Sequence, residues 1–91
     1  MGDLQARILI EGRLQGVNFR LLAQEKAKQL KLVGFVRILA DGRTEIEAQG
    51  DKEHLEELLA WCQQEPHSSQ IKSILFRYDE VERSYGEFSV R

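Results

Sequence analysis

Apolar side chains recur at two spacings along this chain, and the alternation between them predicts the elements. Residues 5–11 alternate Ala6, Ile8 and Ile10 against Arg7 and Glu11, the period of a half-buried strand; Leu9 breaks the polar row, so its second face is partly covered. Over 21–32 there is no Gly or Pro, and Phe19, Ala23, Ala27 and Leu30 recur at helical spacing. Lys26, Lys28 and Lys31 crowd the later half of that helix, where the dipole favours cations. Gly34 is expected to end the helix, and 35–40 to form a strand with Val36, Ile38 and Ala40 on one face. Asp41-Gly42 signals a tight hairpin into an antiparallel strand over 43–48, where Thr44, Ile46 and Ala48 oppose Arg43, Glu45 and Glu47.

Gly50 breaks that strand. Asp51 is a candidate N-cap, Glu53 suits the first helical turn, and Leu55, Leu58, Leu59 and Cys62 make the apolar stripe of a second helix reaching about Gln64. Trp61 lies at the edge of the stripe, Pro66 stops the helix, and His67-Ser68-Ser69 reads as a turn. A strand over 71–78 puts Ile74, Phe76 and Tyr78 on one face; a polar turn with Glu80, Glu82 and Arg83 follows, and Phe88 and Val90 mark a short further strand. The order β-α-β-β-α-β predicts an α+β, ferredoxin-like two-layer sandwich: an antiparallel sheet with two helices on one face and a fifth short strand. Residues 1–91 are expected to form one domain.

Composition narrows the class of function. At 42% hydrophobic and 31% charged residues, the balance is that of an ordinary globular domain. A net charge of −2 argues against nucleic acid, whose binding usually needs a basic surface. No apolar run approaches the length that crosses a membrane, so no membrane partner is expected. The lone Cys62 has no disulfide partner and lies on an apolar helical face, which reads as a buried thiol in a reducing, cytoplasmic setting. His54 and His67 share no metal-ligand spacing with Cys62; both read as solvated, and no metal is expected. Glu56 and Glu57 read as an exposed helix face.

The chemistry concentrates in 12–20, GRLQGVNFR, between the first strand and the first helix. Successive N–H groups in a glycine-bearing turn can converge on an anion, and the following helix N-terminus adds its own unpaired donors. Arg20 supplies a planar, permanently charged fork that can grip two phosphate oxygens. A cation at a helix N-terminus is disfavoured unless an anion compensates it, which strengthens that reading. Asn18 can donate to an anion, orient a water or cap the helix.

Gly12-Arg13-Leu14-Gln15-Gly16-Val17-Asn18-Phe19-Arg20 resembles the G-x-V-Q-G-V-x-F-R signature of the acylphosphatase family, with Leu14 in the valine place. Gly34-Phe35-Val36-Arg37, with Asp41-Gly42 and Glu45 after it, is similar to the second signature, G-x-V-x-N and its hairpin. Gln49-Gly50 and Phe88-Ser89-Val90-Arg91 also match, so the resemblance runs along essentially the whole chain. It implies hydrolysis of the carboxyl-phosphate bond of acyl phosphates without a cofactor. Main-chain N–H groups around Gln15, Gly16, Val17, Asn18 and Phe19 would cradle the phosphate, and Arg20 would bind its oxygens and stabilise transition-state charge. The implied ligands are a small acyl phosphate or inorganic phosphate, and the implied state is a monomer.

One position departs from the pattern. Where the family has a water-orienting asparagine, this chain has Ile38, which can neither donate nor accept a hydrogen bond. Loss of one well-placed catalytic hydrogen bond costs on the order of 10²–10³ in rate. The alternative function is therefore a phosphate-binding, non-hydrolytic module of the same family. A third reading, RNA binding on the open sheet face, starts from Gly34-Phe35-Val36 but lacks the surrounding aromatic and basic pattern.

Overall fold

The computed structural model describes residues 3–14, 18–64 and 67–91. Five strands form one sheet: β1 (Leu4–Gly12), β2 (Val33–Ile38), β3 (Thr44–Gly50), β4 (Ile71–Glu80) and β5 (Phe88–Val90), with α1 (Phe19–Gln29) and α2 (Lys52–Cys62) between them. The spatial order is β4-β1-β3-β2-β5. All pairings are antiparallel except β2 with β5, which is parallel and makes the sheet mixed at that edge.

Register explains the layers. Ile8 lies opposite Ile46, Ala6 opposite Ala48 and Val36 opposite Ile46, so these side chains share the helix-facing side of the sheet. They are buried against Phe19, Ala23 and Ala27 of α1 and Leu55, Leu58 and Cys62 of α2. The expected stripes are thus the core. Phe76, opposite Ile8 on the edge strand β4, shares that face but stays half exposed at the sheet margin.

Boundaries differ from the expectation where turns decide them. Helix α1 spans 19–29, not 21–32, because Lys31 adopts φ +60° and closes a Schellman cap. In it the Leu32 N–H donates to the Ala27 carbonyl and the Lys31 N–H to the Lys28 carbonyl. Gly34 does not end the helix; it lies inside β2 at φ +140°, where a Cβ would overlap the Glu47 carbonyl oxygen. Strand β2 stops at Ile38, and Ala40 is exposed in the turn. The Leu39 N–H donates to Arg43 across a three-residue loop whose Gly42 has φ +93°, a longer loop than Asp41-Gly42 alone suggested. That loop sets Ile38 directly opposite Thr44.

Asp51 occupies the N-cap of α2, but its carboxylate makes no capping hydrogen bond; it lies 3.6 Å from His54 Nδ1. The helix ends at Cys62, ahead of Pro66, which lies outside the described residues. Residues His67–Gln70 form a 3-10 turn. His67 is buried, not solvated as its turn position suggested. Its ring packs 4.5 Å from Trp61 and edge-on to Phe19, and its Nε2 donates to the Trp61 carbonyl at 2.6 Å. Phe19 in turn stacks on Trp61 at 5.4 Å, so three rings hold the first turn of α1 in place.

Over its central strands, the sheet face away from the helices is covered by polar contacts. Glu45, expected on the solvated side of β3, is buried: its carboxylate accepts from Arg7 Nε at 2.7 Å and Arg37 Nε at 2.6 Å. The segment before β5 folds over the same face, where the Tyr85 hydroxyl donates to Glu47 and its ring meets Phe35 edge-on.

Candidate active site

Strand β1 ends in an irregularity that prepares the loop after it. Its pairing to β4 shifts between Glu11 and Gly12, and a Cβ at Gly12 would overlap the Gln70 carbonyl oxygen. The Arg13 N–H donates to that same carbonyl at 3.0 Å, fixing the exit of the strand. Leu14 then turns into the core. Gln15, Gly16 and Val17, expected in the phosphate cradle, lie outside the described residues.

Asn18 resumes the path as the N-cap of α1 in the left-handed conformation, φ 57° and ψ 38°, a region asparagine tolerates better than most residues. Its side chain makes no capping hydrogen bond, so the expected Asx cap is absent; its main-chain oxygen accepts from the Leu22 N–H. Phe19 is buried, and Arg20 beside it points outward. Arg20 Nη1 donates to the main-chain oxygen of Arg91 at 3.1 Å, and the Arg91 N–H donates to Val36. Strand β5 thereby ties the guanidinium to the β2 edge of the sheet.

A small cleft of about 50 Å³ opens between α1 and the sheet, lined by Leu14, Phe19, Arg20, Ile38 and Thr44. The fold therefore brings together two residues that the sequence singled out from separate motifs, Arg20 and Ile38. A water needs roughly 10–15 Å³, so Ile38 leaves room for one. Among the described residues, the lining mixes one permanent cation, one threonine and three apolar side chains. A poorly hydrated cation next to apolar walls strengthens any anion contact made there.

Two lining residues carry no direct signal of a site role in the sequence. In the sequence, Leu14 stands in the valine place of the signature and Thr44 belongs to the apolar-facing row of β3. The signal that finds Thr44 is hairpin register, since with a three-residue loop it is the cross-strand partner of Ile38. Larger concavities lie elsewhere. One runs between β1 and β4 over Arg7, Leu9, Leu75 and Arg77, and another lies along Glu11, Arg13 and Lys72. Neither includes Arg20 or Ile38.

Comparison with known proteins gives the arrangement its relatives. The family model described as acylphosphatase matches residues 6–90. The acylphosphatase of Methylococcus capsulatus is 41% identical over 86 residues, covering 94% of each chain. In solved structures, acylphosphatase from Bacillus subtilis superposes with a TM-score of 0.88 at 33% identity, covering 97% of this chain and 98% of that one. The acylphosphatase from Coxiella burnetii gives 0.87 at 29% identity, covering 99% and 94%. The matches in sequence and in fold thus lead to one assignment: this chain belongs to the acylphosphatase family.

Proposed function

We propose that this chain hydrolyses the carboxyl-phosphate bond of small acyl phosphates, with Arg20 as the phosphate-binding and charge-stabilising side chain. The observation that carries the reading is the cleft at the start of α1, where Arg20 and the family's water position, here Ile38, share one lining. Main-chain donors from 15–19 complete the phosphate cradle in this proposal. Water attacks phosphorus, and the bond from phosphorus to the acyl oxygen breaks with its electron pair on the carboxylate. One water proton passes to a phosphate oxygen, so an acyl phosphate dianion and water give a carboxylate and dihydrogen phosphate. The carboxylate is a good leaving group, so positioning and charge stabilisation suffice.

The test is steady-state hydrolysis of benzoyl phosphate with inorganic phosphate as competing ligand. Turnover is expected from the parent chain, competitive inhibition by phosphate, and a loss of at least about 10²-fold in Arg20→Ala. A parent chain that neither turns over benzoyl phosphate nor binds phosphate refutes the proposal.

Ile38 in the cleft favours a second reading, a phosphate-binding member that does not hydrolyse. It predicts phosphate binding without turnover, and recovery of turnover in Ile38→Asn. In either reading the chain acts as one domain over 1–91 and as a monomer that engages no nucleic acid. Among the described residues no helix is long and apolar enough to cross a membrane. The unpaired, buried Cys62 supports a reducing, cytoplasmic setting.

A further inference from the structure

Thr44 is 5% exposed and stands on the central strand β3, between Ile10 of β1 and Ile38 of β2. Its main chain belongs to the sheet ladder, but its hydroxyl makes no hydrogen bond with any described residue. Among the described residues, no buried side-chain nitrogen or oxygen lacks a partner. The Thr44 hydroxyl is therefore accessible, and Thr44 lines the cleft together with Arg20. A nearly buried hydroxyl without a protein partner normally costs free energy unless water or a ligand completes it. The polar group missing from Ile38 is thus present one strand over, on the same face of the sheet.

We propose that Thr44 positions the attacking water in place of the asparagine that Ile38 displaces. The inference rests on the acyl phosphate reading above. The Oγ accepts one water O–H, which turns a water lone pair toward phosphorus held beside Arg20. Bond making and breaking are those given above, and Thr44 ends the cycle unchanged. The roughly 50 Å³ cleft accommodates the water, and the apolar Leu14, Phe19 and Ile38 walls limit its other orientations.

The experiment compares the parent chain with Thr44→Val, Thr44→Ser and the double variant Thr44→Val/Ile38→Asn. Benzoyl phosphate supplies kcat and KM, and inorganic phosphate supplies an inhibition constant. Valine keeps the β-branched shape and deletes the hydroxyl, so kcat is expected to fall about 10²-fold or more. KM and the phosphate inhibition constant should stay within about threefold, which a disordered site would not allow. Serine keeps the hydroxyl and should recover most of the loss, and the double variant should recover turnover through the restored asparagine.

Parental kcat in Thr44→Val overturns the inference, as does a serine variant no better than valine. A parent chain that binds phosphate but does not turn over overturns it while leaving the phosphate site standing. A parent chain that does not bind phosphate refutes the acyl phosphate reading itself, and the role of Thr44 with it.

Discussion

Replacing Glu45 by glutamine should destabilise this protein far more than its position on an alternating strand suggests. The carboxylate is 3% exposed and accepts from two guanidinium groups, one on each neighbouring strand. Hydrogen bonds to charged groups are worth about 1.5–3 kcal/mol each, net of hydration. An amide keeps one acceptor but turns an N–H donor toward the other guanidinium. Arg7 and Arg37 are 36% and 44% exposed, so they partly rehydrate and place the cost at the lower end. About 2 kcal/mol is expected, a fall in Tm of about 8–16 °C for a domain of this size.

The pH dependence supplies a sign. Burial alone pushes the Glu45 carboxyl up, but the hydrogen bonds and charges of Arg7 and Arg37 together outweigh it and hold the group below the ordinary carboxylate range. A depressed native pKa stabilises fully above the unfolded-state value and is lost as pH falls through the native one. The gap between parent and Glu45→Gln should therefore be full at neutral pH and close in acid. Thermal unfolding followed by circular dichroism across that range measures both. A gap below about 2 °C at neutral pH, or one that is unchanged in acid, refutes the clamp as a stabilising element.

Two further outcomes follow from packing. Gly34→Ala should cost at least about 1–3 kcal/mol in urea unfolding, because the Cβ overlaps the Glu47 carbonyl and φ +140° is closed to alanine; an unchanged midpoint would contradict this. Burial pushes the Cys62 thiol up to about 12, so a disulfide reagent should label it only on unfolding, and rapid labelling of the native chain would count against its burial.

Much of this molecule is legible in its alternation. The apolar rows Ala6, Ile8, Ile10 and Leu55, Leu58, Cys62 locate the core because each needs only a periodicity, which is local information. Glu45 and His67 are not legible that way. Whether a polar residue is buried depends on partners supplied from elsewhere: Arg7 lies 38 positions away from Glu45, and the carbonyl that satisfies His67 belongs to the last turn of α2. Lys31 takes a left-handed cap usually given to glycine, so the nearby Gly34 misleads about where α1 ends. In the candidate site, Arg20 and Ile38 are visible as motif members, but Thr44 is hidden by loop length. One residue more in the hairpin decides which side chain of β3 faces Ile38, and Asp41-Gly42 alone does not specify it.

The strand order also constrains how the chain reaches this state. Strand β1 is made first but lies between β3 and β4, and its pairing with β4 joins Leu4 to Glu80. Pairs so distant in sequence carry the loop-closure cost that slows folding of such topologies. During synthesis β1 keeps one bare hydrogen-bonding edge until β4 has emerged, a period in which apolar strand surface is open to other chains. The brace from Arg20 to Arg91 spans 71 positions and needs a residue made after β4. The guanidinium expected to meet substrate is thus braced only when residues from the two ends of the sequence have come together.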